Sequence, residues 1–229
     1  GITTPNVGPS IVKGEILRFD SGSVPLTPIT GGGTGAQFVF DDASVTVQML
    51  DGAGAQIPGQ INITGFTSGL EPSPITIPNL VDGTTLNIEA EFGGYSMPDV
   101  GVTVAEDQTV TLDAATRQIT SASTPGTTLI NIIFESTDVE INVTDLNGDP
   151  IMNLDSSIMG EIEVTGQTVG FIVPPFTASV TSGISYGVRA RFDDHTASHQ
   201  TVQVIKDQTL IIDAVTGTQT PTTTPGQTR

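Results

Sequence analysis

Gly83-Thr84-Thr85-Leu86-Asn87-Ile88-Glu89-Ala90-Glu91-Phe92 recurs one hundred residues later as Gly183-Ile184-Ser185-Tyr186-Gly187-Val188-Arg189-Ala190-Arg191-Phe192. In each copy a glycine opens a run whose apolar residues fall on every second position: Leu86, Ile88, Ala90 and Phe92, then Tyr186, Val188, Ala190 and Phe192. Period two places those side chains on one face of a strand and the intervening residues on the other. The segment therefore reads as a half-buried β-strand, written twice.

The repeat extends outward from this strand. Val102, Val104, Asp107-Gln108-Thr109, Asp113-Ala114 and Thr124-Pro125-Gly126 return as Val202, Val204, Asp207-Gln208-Thr209, Asp213-Ala214 and Thr224-Pro225-Gly226. Upstream, Phe38 and Phe40, Val45, Val47 and Met49, Ile61 and Ile63, Ile75 and Ile77, then Val110 and Leu112 alternate in the first copy. Ile132 and Phe134, Val139, Ile141 and Val143, Ile162 and Val164, then Leu210 and Ile212 do so in the second. Helical periodicity is absent. Many short strands separated by turns predict an all-β chain of two tandem β-sandwich domains with an extra N-terminal strand.

On this reading residues 1–35 are an extended segment holding a candidate donor strand at 11–19, and 36–120 form the first sandwich. A Thr/Pro linker at 121–128 leads to the second sandwich at 129–216, and 217–229 are a Thr/Pro-rich tail. The apolar strand 11–19 has two fates. It adds to an edge of its own first sandwich, or it crosses to a neighbouring subunit, with Ile11, Ile16, Leu17 and Phe19 as the contact candidates.

Composition narrows the function. With nine Phe, two Tyr, no Trp and no Cys, the cores must be aliphatic and no disulfide forms. Twenty-five acidic residues against seven basic ones give a net charge of −18, which excludes the basic face that a nucleic-acid partner requires. No run of 18 apolar residues occurs, so no membrane span is expected. Charged residues make up only 14% of the chain, against roughly 25% in ordinary soluble domains. Thr, Ser and Gly solvate the surface instead, a composition read here as extracellular or cell-surface, and a chain opening on Gly1 reads as a mature or processed product.

The order Val45-x-Val47-x-x-x-Asp51-x-x-Gly54-x-x-Ile57, repeated as Val139-x-Ile141-x-x-x-Asp145-x-x-Gly148-x-x-Ile151, is followed each time by the glycine-led strand ending in Ala-x-Phe and by Asp-Gln-Thr. Over residues 38–114 and 132–214 this resembles the carboxypeptidase-regulatory or transthyretin-like, Ig-like β-sandwich repeats of prokaryotic surface proteins. The resemblance implies stalks, spacers and adhesive units, and no activity. The arrangement of strand, linker and repeated module is also similar to donor-strand-linked extracellular filaments of archaea and bacteria.

Chemistry-bearing clusters are few. Asp193-Asp194-His195-Thr196-Ala197-Ser198-His199 holds the only imidazoles, His195 and His199, and is a candidate metal loop. Asp145-x-Asn147-x-Asp149 imitates the start of a calcium loop, but Pro150 stands where a glycine is needed and Ser156 where a glutamate is needed. Turn formation is the competing role for Asp145, Asn147 and Asp149, since an Asp caps its own turn. Asn62-Ile63-Thr64 and Asn142-Val143-Thr144 are N-glycosylation sequons whose Asn the pleat turns outward. Lys13 and Lys206 are the only donors for an isopeptide crosslink, and Lys206 aligns with Glu106, which argues for exposure.

The sequence thus points away from an enzyme. It predicts a structural subunit of an extracellular filament or surface layer, self-associating head to tail by strand donation, without cofactors other than calcium or N-glycans at those sites. The alternative is a pair of adhesive or carbohydrate- or protein-binding modules of a larger surface protein; the lack of Trp counts against a sugar platform.

Overall fold

The computed structural model describes residues 15–20, 26–30, 35–39, 42–152 and 159–229. Among them there is no helix: the chain is all-β, in several sheets compatible with a β-sandwich fold. It divides into two compact units that part between Ile133 and Phe134, the short pieces Phe92–Tyr95 and Ala114–Thr116 grouping with the second.

The chain opens with β1 (Glu15–Asp20), β2 (Leu26–Thr30) and β3 (Gly35–Val39), in the order β2-β1-β3. β1 runs antiparallel to β2 and parallel to β3, with Leu17 opposite Ala36 and Phe19 opposite Phe38. The first unit continues with β4 (Asp42–Asp51), β5 (Gln60–Ile63), β6 (Glu71–Pro72), β7 (Ile75–Val81), β8 (Thr85–Phe92), β9 (Tyr95–Thr103), β10 (Gln108–Asp113), β11 (Ile119–Ser123) and β12 (Leu129–Phe134). One sheet has the order β11-β10-β12-β4-β7 and the other β6-β5-β8-β9.

Burial follows the alternation. Val45, Val47 and Met49 of β4, Val110 and Leu112 of β10, and Ile130 and Ile132 of β12 are buried from one sheet, and Ile61, Ile63, Leu86, Ile88 and Ala90 from the other. Each fully buried aliphatic contributes roughly 1.5–3 kcal/mol relative to exposure, so the unit is held by this set rather than by any ion pair.

β12 occupies an unexpected place. It lies parallel to β10, with Val110 opposite Ile130 and Leu112 opposite Ile132, and separates β10 from β4. The segment 121–128, read as an extended linker from its Ser, Thr and Pro content, is instead the end of β11 and the turn into β12: β11 pairs antiparallel with β10. Its side chains are all exposed, so pairing rather than burial makes it a strand.

The second unit has β13 (Ser136–Ile141), β14 (Glu161–Val164), β15 (Phe176–Thr181), β16 (Ser185–Phe192), β17 (His195–Thr196), β18 (Gln200–Gln203), β19 (Gln208–Ile212) and β20 (Gln219–Thr223). β13 pairs β15, β14 and β18 flank β16, and β19 pairs β20. Val139, Ile162, Val164, Tyr186, Val188 and Val204 form its core. Within the Thr/Pro-rich tail at 217–229, Gln219–Thr223 is the second strand of a hairpin. β13 and β15 match β4 and β7, and β19 and β20 match β10 and β11; among the described residues no strand of the β12 kind stands between β13 and β19.

Candidate strand-binding site in the second unit

A hydrogen-bonded clasp leads β12 into its place. Asp107 takes a left-handed φ of 56°, which Asp tolerates better than most residues, and its carbonyl accepts the Thr124 N–H at 2.6 Å. Its carboxylate accepts the Gly126 N–H at 2.6 Å, and its own N–H donates to Thr128 Oγ1 at 3.2 Å. The Thr46 N–H then donates to the Thr128 carbonyl at 3.2 Å, and the chain enters the sheet beside β4.

The second unit repeats the clasp bond for bond. Asp207 has φ 58°, its carbonyl accepts the Thr224 N–H at 2.7 Å, and its carboxylate accepts the Gly226 N–H at 2.7 Å. Its N–H donates to Thr228 Oγ1 at 3.1 Å, while Glu140 N–H donates to the Thr228 carbonyl at 3.0 Å. Arg229 then donates to the Gln208 carbonyl at 3.0 Å and accepts the Leu210 N–H at 2.8 Å, as the first rung of a parallel ladder beside β19. Val139 and Thr228 form a parallel bridge on the other side.

Beside Thr228 and Arg229 lies an apolar groove lined by Val139, Ile141, Tyr186, Val188, Leu210 and Ile212. Where Val110 and Leu112 are buried, their counterparts Leu210 and Ile212 are only half-buried. Leu210 N–H bonds the Arg229 carbonyl and Glu140 N–H the Thr228 carbonyl, and along β19 alternation turns the Ile212 N–H to the same side as that of Leu210. Thr228 and Arg229 thus stand between β13 and β19 above an apolar floor, as Thr128 and Leu129 stand between β4 and β10.

The sequence-derived candidates distribute differently. Ile11 lies outside the described residues. Ile16, Leu17 and Phe19 lie on β1, which pairs with β2 on one side and β3 on the other; β1 holds the position of β10 in the repeat, not that of β12.

Asp145 Oδ1 accepts the N–H groups of Asn147 at 2.8 Å and Asp149 at 2.9 Å, and Asn147 Nδ2 donates to its Oδ2 at 3.1 Å. These donors, the Asp149 amide foremost, hold the Asp145 carboxyl below the usual aspartate value. Asp51 closes the same turn through Ala53 and Ala55, at 2.9 and 2.8 Å, with no second or third ligand of the calcium pattern beside it, so turn formation accounts for this geometry. His199 Nε2 lies 3.0 Å from Thr165 Oγ1, and His195 sits on the short β17. Among the described residues no three His, Cys, Asp or Glu side chains converge as a metal site.

Asn62 is half-buried, with its Nδ2 donating to Glu89 at 2.8 Å; Asn142 is exposed and donates to Glu140 at 2.6 Å. Lys206 is about one-third exposed and pairs with Glu135 at 3.0 Å, while Lys13 lies outside the described residues. Phe171 lies against the guanidinium groups of Arg189 and Arg191, 4.9 and 4.4 Å from its ring centre.

Sequence reasoning passed over Asp107, Asp207, Thr128, Thr228 and the groove itself. Their signal is the recurrence of Asp-Gln-Thr and Thr-Pro-Gly at one fixed spacing, which marks a clasp where composition suggests a spacer. Comparison of the chain with known protein families, curated proteins and solved structures returns no match. What the geometry defines is a class: an all-β chain of repeated units in several sheets compatible with a β-sandwich fold.

Proposed function

We propose that this protein is a non-enzymatic structural component of an extracellular filament or surface layer, built of Ig-like or transthyretin-like sandwiches that are joined by strand addition. One observation carries the reading. The clasp that delivers β12 between β10 and β4 in the first unit is rebuilt in the second around an apolar groove. Main-chain hydrogen bonds supply the adhesion in such a joint, and alternate apolar side chains supply the specificity. Head-to-tail contacts that do not close into a ring propagate into fibres. The hydroxyl-rich, acidic surface suits a protein that works outside the cell and away from nucleic acid.

A fluorescein-labelled peptide with the sequence of residues 128–135, Thr-Leu-Ile-Asn-Ile-Ile-Phe-Glu, is expected to bind the full chain saturably, as read by anisotropy. A peptide carrying Asp at the positions of Ile130 and Ile132 is expected not to bind. Absence of binding by the first peptide, or equal binding by both, overturns the strand-addition reading.

A further inference from the structure

We infer that the Asn142 side chain is a site of N-linked glycosylation and that Asn62, in the other Asn-x-Thr sequence, is not. Ile141 and Val143 pack against the core of the second unit, so the pleat turns Asn142 and Thr144 to the opposite, solvent side, where both are exposed. Val143 is fixed in that direction: a Cβ at Gly160 would stand 2.7 Å from its Cγ1, so the glycine leaves the room that Val143 fills. Past Thr144 the chain enters the turn closed by Asp145, in which Leu146, Asn147 and Gly148 all stand in solvent. Asn142 Nδ2 donates to Glu140 Oε1 at 2.6 Å, a bond between side chains two residues apart that water replaces at little cost. An approaching enzyme meets the carboxamide and the hydroxyl of this sequence side by side, just past the end of a strand.

Asn62 is placed otherwise. It lies inside β5, between β6 and β8, is half-buried, and has both ends of its carboxamide bonded: Nδ2 donates to Glu89 Oε2 at 2.8 Å and Oδ1 accepts from Thr67 Oγ1 at 2.7 Å. The internal repeat also explains its threonine. Thr64-Gly65-x-Thr67 recurs as Thr165-Gly166-x-Thr168, and the two turns share their bonds. Ile63 N–H donates to Thr67 Oγ1 at 2.9 Å and Val164 N–H to Thr168 Oγ1 at 3.0 Å, while the N–H groups of Thr64 and Thr165 donate to the carbonyls of Asn87 and Gly187. Thr64 therefore belongs to the turn, and its spacing from Asn62, whose place is taken by Glu163 in the second unit, follows from the fold. Asn142 and Thr144 have no such origin. Gln48 and Leu50 hold their positions in the first unit, so both residues of the sequence are peculiar to the second unit, at two neighbouring positions on its solvent side.

The donor is an oligosaccharide linked through phosphate to a polyprenyl lipid. Asn142 Nδ2 forms a bond to the anomeric carbon, the bond from that carbon to the phosphate oxygen breaks with its electron pair, and one amide proton leaves. For the test, the full-length chain is secreted from a host chosen because it glycosylates a reference Asn-x-Thr tag appended to the chain. Intact mass counts the glycans; enzymatic release turns the asparagine that carried each one into aspartate, and peptide mass places it. The expected result is one N-glycan besides that of the tag, lost in Asn142→Gln and in Thr144→Ala, and kept in Thr144→Ser and in Asn62→Gln. A chain glycosylated on its tag alone, or a glycan on Asn62 in place of or beside that on Asn142, overturns the assignment. Binding of the 128–135 peptide is decided separately, so strand addition and glycan attachment stand or fall independently.

Discussion

Leu112→Ala is expected to destabilise the first unit by about 2–5 kcal/mol, while Ile212→Ala at the equivalent position of the second unit costs less than about half as much. Leu112 is wholly buried, sealed at its edge by β12, so truncation leaves a cavity that the sheet cannot collapse around. Ile212 is half-buried on the floor of the groove, so part of its transfer energy is still unrealised in the isolated chain and part of the space left by truncation is already open. Urea unfolding followed by resolved amide signals of each unit measures both values. Equal losses would mean that the groove is already sealed.

Ile132→Asp is expected to have a larger effect, more than about 4 kcal/mol, enough to leave the first unit unfolded at ordinary temperature. Ile132 lies at the centre of β12, fully buried opposite Leu112, and a carboxylate there has no partner and no route to water. Loss of dispersed methyl and amide signals from β4 and β10 would report it. If these signals persist, β12 is an ornament on a sheet that stands without it, and the strand-addition reading loses its support.

Much of this architecture was legible as alternation. β4, β5, β8 and β10 announce themselves because one face of each is buried, and the turns at Asp51 and Asp145 are written in residues that cap their own backbone. Two features were not legible. β11 and β20 are exposed along their whole length, so Thr and Ser pair there without leaving an apolar stripe, and Pro221 is tolerated in a hairpin that borders solvent. The placement of β12 was hidden for a different reason: alternation tells which face of a strand is buried but not which strands lie beside it. Ile130, Ile132 and Phe134 look the same whether they open their own sandwich or complete the preceding one. The clasp at Asp207 and Thr228 is hidden for the same reason, since recurring residues do not tell which strands they hold together.

Amide hydrogen exchange tests the strand-addition reading most directly. In dilute full-length protein, Leu112 and Gln48, which border β12, are expected to exchange slowly, and their counterparts Ile212 and Asn142 at least a hundredfold faster. Saturating 128–135 peptide is expected to slow Ile212 and Asn142 towards the rates of the first pair. Protection of Ile212 and Asn142 already equal to that of Leu112 and Gln48, or no change on adding peptide, would contradict the account.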